Sequence, residues 1–433
     1  MEFQIPIITL SSTHGRKVLS SIRNAATDRN AQAQSNVDNI LCDVKLNGDK
    51  ALFKYSKQFD GATLTKNTLR LKSEYIRKRA KLADPAFAAS CKEAAKRIRA
   101  FHEKQLAKPF SISTPEGKLS QLIRPLQRVG VYVPGGHTAY PSTVLMDVIP
   151  SQIAGVAEIA VATPPRGELH PAIAFAVELL GVKEVYRMGG PQAIAAFAFG
   201  TKSVKKVDKI VGPGNLYVAL AKKAVYGTVD IDSIAGPSEV IVLADKTANP
   251  QWVALDMLAQ AEHGSGDETA ICVTEDIGFA KRLQLAVSKE IANSPVTDIF
   301  KRLRPDALCI CVSENRKQSI DFINECGPEH LEIMTATYKK DLDSVKNAGA
   351  IFLGPYSPVA MGDYFVGTNH VLPTGGAARY ASPLGVESFI KRMSVAEISK
   401  AGCKKAAPHV SVLARTENFV HHALSAEKRA EQI

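Results

Sequence analysis

Aromatic residues and long hydrophobic runs are both scarce in this sequence. Phe, Trp and Tyr make up 6% of the 433 residues, and Trp252 is the single tryptophan. No apolar run approaches the roughly 18 residues that a membrane-spanning helix needs. The N-terminus also lacks the charged segment and apolar core of a secretory signal. These absences predict a soluble, cytoplasmic protein that does not use a membrane as a partner.

Cysteine is present, but its spacing does not suggest disulfides. The seven cysteines form no Cys-x-x-Cys pair and no even disulfide ladder. This distribution favours a reducing compartment with mostly buried, inert thiols over a secreted disulfide scaffold.

The sequence also lacks a G-x-G-x-x-G segment opening a helix, which is the usual fingerprint of dinucleotide binding. Binding of NAD would have to rest on the glycine turns at 135–136, 189–190 and 212–214. The formal net charge of +11 invites a nucleic-acid interpretation. The basic residues are spread along the chain, however, with few aromatics between them for base stacking. We therefore expect an anionic small molecule or dinucleotide as the partner, and no nucleic acid.

The order of predicted elements indicates an α/β protein in four parts. We place a helical N-terminal arm at 1–115, two sheet domains at 116–237 and 238–374, and a C-terminal tail at 375–433. Short β-branched strands are predicted at 128–133, 159–163, 184–188, 209–211, 238–244, 270–274, 307–312 and 350–353. Helical segments alternate with them, which implies parallel strands and crossover helices. The two sets suggest two related domains facing one another across a cleft, with ligands at the carboxyl ends of the strands.

The tail has too little apolar content to form a core alone. It reads as a loop, a strand or helix around 386–392, and an amphipathic helix from about Glu417. We expect it to pack on the rest of the molecule or on a second subunit.

Glu329 and His330 stand side by side directly after the turn signal Gly327-Pro328. Because Gly-Pro breaks regular structure, we expect the pair in a loop or at the first turn of a helix. A desolvated Glu can take a proton from water, and His transfers protons near neutral pH. Adjacent Glu and His are also common on solvated helix starts, so the pair gains meaning only if other segments supply partners.

Further segments carry groups that could bind a metal or a substrate. Gln260 and His263 lie three residues apart at the end of a predicted helix, on one face; the alternative is a polar helix end. Asp363, in a turn-rich loop, is a candidate third ligand, although its carboxylate could serve its own backbone. Glu417 and His422 lie near opposite faces of the tail helix, as a solvated patch or as groups offered to a partner.

Taken together, these segments closely resemble the histidinol dehydrogenase family, from about residue 30 to the C-terminus. The motifs that carry the resemblance are Val129-Gly130-Val131-Tyr132-Val133-Pro134-Gly135-Gly136, Gly212-Pro213-Gly214-Asn215, Ala235-Gly236-Pro237-Ser238-Glu239-Val240, Gln260-Ala261-Glu262-His263, Gly327-Pro328-Glu329-His330-Leu331-Glu332, Gly362-Asp363-Tyr364 and Asn369-His370-Val371-Leu372-Pro373-Thr374. The resemblance implies a homodimer of chains with two incomplete Rossmann-like domains and a tail that crosses to the partner. It also implies oxidation of L-histidinol by two NAD and water to L-histidine, through an aldehyde-level intermediate, as the last step of histidine biosynthesis.

The resemblance further assigns roles to individual residues. Glu329 matches the base that activates water for the second oxidation, and His330 matches the general base that takes the alcohol proton. One zinc ion per subunit would be held by Gln260, His263, Asp363 and His422. Substrate would be contacted by these four ligands and His330, together with Ser238 and Glu417. NAD would be contacted by Tyr132, Gln192 and Asn215, while Glu417 and His422 would come from the other subunit.

Some positions depart from the family pattern. The loop Gly264-Ser265-Gly266-Asp267 is about one residue longer than usual, Val359 replaces a common Glu, and Asp147 replaces a common Asn or neutral residue; Asn418-Phe419 replaces Gly-Leu. These changes remove no proposed ligand. They leave open a paralogous zinc- and NAD-dependent dehydrogenase acting on another polar alcohol, such as a sulfonated propanediol. A non-catalytic binding or nucleic-acid module, suggested only by the charge, is disfavoured by the complete acid–base and ligand sets.

Overall fold

The N-terminal part of the chain is mainly helical, but it begins in a strand. The computed structural model describes residues 4–24, 31–135 and 139–432, so Gly136 of the first predicted glycine turn lies outside the described residues. The elements of this part are β1 Ile7–Thr9, α1 Thr13–Asn24, α2 Ala31–Asn47, α3 Asp49–Asp60, α4 Lys66–Leu69, α5 Ser73–Ala80, α6 Pro85–Glu103, β2 Phe110–Thr114 and β3 Gly117–Pro125. The predicted helical arm therefore contains several helices, with α2 and α3 separated at Gly48. The strand β1 was not predicted, because three residues of strand are too few to show a period.

A five-stranded parallel sheet follows, as the alternation of elements predicted. Its elements are β4 Arg128–Tyr132, α7 Pro141–Ala154, β5 Glu158–Thr163, α8 Pro171–Leu179, β6 Glu184–Arg187, α9 Gly190–Phe199, β7 Lys209–Val211, α10 Leu216–Val225 and β8 Asp230–Ile231. The strand order is β6-β5-β4-β7-β8. Buried apolar side chains form a separate cluster on each face, since Tyr132 belongs to one cluster and Val131 to the other. Burial on both faces is typical of a parallel sheet covered by crossover helices.

A second parallel sheet has six strands, in the order β1-β11-β10-β9-β12-β13. Its further elements are β9 Glu239–Ala244, α11 Pro250–Ala261, β10 Thr269–Thr274, α12 Ile277–Asn293, α13 Thr297–Phe300, β11 Leu308–Val312, α14 Arg316–Cys326, β12 His330–Met334, α15 Tyr338–Leu342, β13 Ala350–Leu353 and α16 Val359–Tyr364. The strand β1 forms one edge, where Ile7 pairs with Ile310. A contact between the parts carrying the two sheets is made by Asn369, whose side-chain amide donates to the Met146 carbonyl oxygen at 2.8 Å.

The C-terminal tail makes one long strand and a helical hairpin. It contains short 3-10 turns at Ala377–Arg379 and Val386–Phe389, then β14 Ile390–Ile398, α17 Lys400–Thr416 and α18 Val420–Glu431. The strand β14 pairs antiparallel with β3, and β3 with β2. After Ile390 every residue of β14 is exposed. As predicted, the tail forms no core of its own. None of the described helices is both long and apolar enough to cross a membrane.

A buried charged cluster supports the glycine turn after β7. The Lys222 ammonium donates to the Gly212 carbonyl oxygen at 3.0 Å and pairs with Asp232, whose other carboxylate oxygen accepts the Gly212 N–H. Gly212 has φ +108°, and an added Cβ would lie 2.1 Å from the Tyr132 carbonyl oxygen, so only glycine fits. Asp147 is fully buried beside this turn, and neither of its carboxylate oxygens has a hydrogen-bond partner among the residues that the structure describes. Burial first, and then the Asp232 charge, raise the pKa of Asp147 well above its usual value.

The buried acid predicts an unusual dependence of stability on pH. Because its pKa is raised in the folded state, Asp147 favours folding below the unfolded pKa of about 4 and loses this contribution as pH rises through the folded pKa. We expect Asp147→Asn to stabilise the protein at pH 8 by about 1–3 kcal/mol, with the gain vanishing near pH 4. Urea unfolding at both pH values measures this. Asp232→Asn is the matched control and should destabilise, since it leaves Lys222 buried and unpaired. A wild type more stable than Asp147→Asn at pH 8 would contradict the interpretation.

Candidate active site

The Glu329–His330 pair lies at the start of the central strand β12. Helix α14 ends at Cys326, and Gly327 follows it with φ +58°, the left-handed conformation that favours glycine at a helix end. The strand begins at His330 and pairs with both β9 and β13. The prediction of a loop or first helical turn therefore holds for Glu329 only. His330 is in a strand, because backbone pairing on both sides overrides the local turn signal.

Glu329 is a buried carboxyl with one strong backbone partner. Its side chain is 9% exposed, and its Oε2 atom accepts the backbone N–H of Glu239 at 2.9 Å. Burial raises the pKa of Glu329 above its usual value, although the neighbouring His330 opposes the shift. A carboxyl whose pKa is moved toward neutrality is suited to exchange protons with water.

His330 is held from the same backbone position. Its Nδ1 atom lies 3.0 Å from the Glu239 carbonyl oxygen, and since a carbonyl only accepts, Nδ1 carries the proton. The Nε2 atom has no hydrogen-bond partner among the described residues and lies 3.6 Å from Asp363 Oδ1. Burial alone would lower the pKa of His330, but the Glu329 and Asp363 carboxylates outweigh it and raise this pKa to about 9. Neutralising the Asp363 charge would remove one of the two interactions that hold a second proton on the ring.

Asp363 is presented by a short helix and not by the predicted loop. It lies near the end of α16, whose N-terminus follows Pro358. Burial raises the pKa of Asp363, but the charge of the nearby His330 outweighs burial and brings this pKa below its usual value, so the side chain is a carboxylate. His370 donates from Nδ1 to the Asp363 carbonyl oxygen at 3.1 Å, which fixes the helix end beside His330.

Gln260 and His263 meet at the end of α11. Gln260 is 2% exposed, and its Oε1 atom has no hydrogen-bond partner in the described structure. His263 lies two residues beyond the helix, where its Nδ1 donates to the Gln260 carbonyl oxygen at 3.0 Å. Its Nε2 is therefore the atom available as a ligand. The charge of His263 also influences the pKa values of Glu329 and Asp363, which places this corner near the acid–base pair.

The tail residues are not brought to this corner within one chain. Glu417 is exposed at the end of α17, and His422 is exposed on α18, with its ring 5.2 Å from that of Phe419. Among the described residues, no group of three or more His, Cys, Asp or Glu side chains is assembled for a metal ion. His422 therefore does not join both His263 and Asp363 of its own chain.

The predicted dinucleotide residues lie at the carboxyl ends of strands in the first sheet. Tyr132 ends β4, and its hydroxyl accepts the Gly190 N–H at 3.1 Å. Gln192, at the start of α9, is fully buried, yet neither atom of its amide has a partner among the described residues. Asn215 follows β7 and caps α10 by accepting the Val218 N–H at 3.2 Å. This edge agrees with the expectation that ligands bind at carboxyl ends.

In the second sheet, the predicted site residues lie at the amino ends of the strands and not at the carboxyl ends. Ser238, Glu239, Glu329 and His330 lie at the amino ends of β9 and β12. At the carboxyl ends, Arg316 is surrounded by carboxylates; its partners are Glu275 at 2.6 Å, Asp341 at 2.5 Å and Asp245 at 3.9 Å. The predicted catalytic residues of this sheet therefore lie at the ends opposite to these ion pairs, which occupy the carboxyl ends of its strands.

Sequence reasoning did not single out Glu239. Its backbone contacts both members of the acid–base pair, and its side chain accepts the Gly375 N–H at 2.8 Å. Burial, followed by the charge of Glu329, raises the pKa of Glu239 to about 8. The available signal was a carboxyl residue at the head of an otherwise apolar buried strand, since burying such a group requires a partner.

Comparison with known proteins identifies the family of this chain. The family model of histidinol dehydrogenase matches residues 23–430. The chain is 44% identical over 408 residues to a histidinol dehydrogenase of Listeria monocytogenes, covering 94% of this chain and 95% of that protein. It is 45% identical over 403 residues to that of Halalkalibacterium halodurans, covering 92% and 94%.

A solved structure gives the same result. The crystal structure of histidinol dehydrogenase from Elizabethkingia anophelis aligns with a TM-score of 0.92 at 35% identity, covering 100% of this chain and 99% of that one. The family resemblance drawn from the motifs is confirmed. The alternative of a non-catalytic binding module is excluded, because the family is one of enzymes. The chain belongs to the histidinol dehydrogenases, a family of oxidoreductases.

Proposed function

We propose that this protein oxidises L-histidinol to L-histidine in two successive steps at one site, using two NAD and one water. The observation that carries the proposal is the buried pair Glu329–His330, both held by the backbone of Glu239 at 2.9 and 3.0 Å. An imidazole and a carboxyl group side by side can remove a proton first from an alcohol and then from a water molecule. An aldehyde-level intermediate then need not leave the site.

His330 is the proposed base for the alcohol. A hydride leaves a carbinol carbon as the hydroxyl proton is removed, so the base must present a lone pair to that hydroxyl. With Nδ1 donating to the Glu239 carbonyl oxygen, Nε2 is the nitrogen left for the alcohol, and it lies 3.6 Å from Asp363 Oδ1. Because the Glu329 and Asp363 carboxylates raise the pKa of His330 to about 9, Nε2 presents a lone pair when the Asp363 charge is neutralised, as a metal ion at Asp363 would do. The ring is thus oriented in advance for proton transfer.

Glu329 is the proposed base for water. The aldehyde must be hydrated before a second hydride can leave, and a carboxylate that removes a water proton promotes this addition. The Glu239 N–H holds one oxygen of Glu329, leaving the other for water. Balanced over both steps, alcohol, water and two NAD give carboxylate, two NADH and three protons.

The residues present suit the two groups that the family implies. Gln260 offers an unpaired buried Oε1, His263 offers Nε2 and Asp363 offers a carboxylate, a nitrogen and oxygen set that zinc accepts. Zinc in this position would orient substrate and act as a Lewis acid. On the other edge, the unpartnered amide of Gln192 suits a polar cofactor, and Tyr132 and Asn215 complete the proposed contacts of NAD, which supplies the hydride acceptor.

We further propose a homodimer in which the tail completes the partner's site. Two predicted site residues, Glu417 and His422, are exposed, and among the described residues His422 is not gathered with both His263 and Asp363 of its own chain. They lie on the helical hairpin that follows β14, and nearly all residues of β14 are exposed. Exposed apolar side chains of β14 and the hairpin include Met393, Val395, Ile398, Val412, Leu413 and Phe419. In this arrangement His422 is the fourth zinc ligand, and Glu417, with Ser238, contacts the substrate.

One assay tests the function. With purified protein, L-histidinol and excess NAD, we expect two NADH per histidinol, measured by absorbance at completion against a histidine assay. A zinc chelator should abolish turnover, and added zinc should restore it. Turnover only with another alcohol, such as a sulfonated propanediol, would favour the paralogous activity. No turnover with any polar alcohol would contradict the proposal.

A further inference from the structure

A pair of buried carboxyl groups lies behind the proposed metal site. Glu332, on β12, is fully buried. It is two residues from His330 and so points to the same face of the sheet. Asp256, on α11, is half-buried and lies close enough to Glu332 for its charge to raise the pKa of the Glu332 carboxyl. Two carboxylates at close range repel each other unless one of them holds a proton.

One oxygen of Glu332 is anchored and the other is not. Glu332 Oε1 accepts the Val359 N–H at 2.8 Å, whereas Oε2 is buried and has no hydrogen-bond partner among the described residues. Burial, followed by the charge of Asp256, raises the pKa of Glu332 well above its usual value, and burial raises the pKa of Asp256 to about 6. Glu332 therefore lies between the carboxyl group of Asp256 on α11 and the Val359 N–H of α16.

Glu332 lies against both helices that carry proposed ligands, in each case beside a residue four positions before the ligand. Asp256 is one helical turn before Gln260 on α11, and Val359 is one turn before Asp363 on α16. Residues four apart lie on the same helix face, so Asp256 lies one turn from Gln260 and Val359 one turn from Asp363 on a shared face. The contacts of Glu332 with Asp256 and with Val359 thus fix α11 and α16 relative to β12, which carries His330.

We propose that Asp256 and Glu332 are positioning residues that hold Gln260 and Asp363 at the spacing needed to bind the metal. This inference rests on the proposed function, since it presupposes a divalent metal at Gln260, His263 and Asp363. Partners behind a metal's ligands commonly change metal affinity by about 10- to 100-fold when removed.

Zinc affinity of the whole protein, measured by competition with a chromophoric chelator, tests the proposal without using turnover. Glu332→Ala and Asp256→Ala should each weaken zinc binding about 10- to 100-fold. Glu332→Gln should retain affinity within a few-fold, because its amide oxygen still accepts the Val359 N–H and its N–H donates to an ionised Asp256. Ile323→Ala is the matched control, since Ile323 is fully buried on α14 against the other face of this sheet. It should lower the melting temperature and leave zinc affinity unchanged.

The outcomes separate the inference from the function. If wild type binds zinc and both alanine variants bind it equally well, the positioning role is wrong and the proposed function stands. Equal loss of affinity in Ile323→Ala and Glu332→Ala would also overturn the inference, because general loosening would then explain it. If wild type binds no zinc, the proposed metal site fails and the inference fails with it. If Glu332→Ala does not fold, Asp256→Ala and Glu332→Gln test the positioning role instead, because Asp256 is only half-buried and glutamine keeps the shape of Glu332.

Discussion

Glu329→Gln is expected to separate the two oxidations. The variant should still oxidise histidinol to the aldehyde level at a rate near that of wild type, because His330 and its contact with the Glu239 carbonyl oxygen are retained. Hydration of the aldehyde should slow by about 10²- to 10⁴-fold, which is the usual contribution of a general base. Single-turnover NADH formation would show the first step intact and the second delayed, and the aldehyde should be trapped by semicarbazide.

The amide is a close match for the carboxyl it replaces. Its oxygen can still accept the Glu239 N–H, so a large structural change is not expected. His330→Asn is the complementary variant and should lose the first step as well, since no base then faces the alcohol. Equal loss of both half-reactions in Glu329→Gln would overturn the assignment of water activation to this residue.

Mixing two inactive variants is expected to restore activity. If each site combines Glu329 of one subunit with His422 of the other, then Glu329→Gln and His422→Ala each disable every site of their own homodimers. A heterodimer contains one site with both defects and one with neither. With random exchange of subunits, half of the dimers are mixed, and the total should rise to about a quarter of wild-type activity.

The measurement is formation of L-histidine after co-refolding or co-expression of differently tagged subunits, because Glu329→Gln alone still forms NADH in the first oxidation. A mixture of Glu329→Gln with Gln260→Ala is the control, because both residues lie in the body of one subunit and every mixed site retains a defect. Recovery in the control, or none with His422→Ala, would show that the tail does not serve the partner's site. Sedimentation at the assay concentration gives the oligomeric state independently.

The sequence predicted the parallel sheets well because their strands are short, apolar and bounded by Gly or Pro. It did not predict β12, in which Glu332 and His330 interrupt the apolar pattern; only pairing with β9 and β13 identifies this segment as a strand. The short β1 and α16 were missed for a related reason, since neither is long enough to show a period.

Parts of the candidate site depend on contacts that no local pattern encodes. The residues Gln260, His263, Asp363 and His330 come from the motif resemblance, and the structure brings them to one corner. The Glu239 backbone contacts and the Glu332–Val359 hydrogen bond join separate segments of the sequence, so spacing could not reveal them. The proposed role of the tail residues depends on a second subunit, and the sequence suggests that role only through the resemblance to the family.

The short strand β1 has a consequence for how the chain is made. Its partner β11 lies in the second half of the sequence, and Ile7 meets Ile310 only after both have left the ribosome. Contacts of such sequence separation form slowly. Until then the newly made chain carries an unpaired apolar segment, Ile5-Pro6-Ile7-Ile8. Removing this segment would leave β11 as a bare sheet edge, open to pairing with other chains. The strand β1 thus covers an edge of the finished sheet, although it is among the last strands to pair.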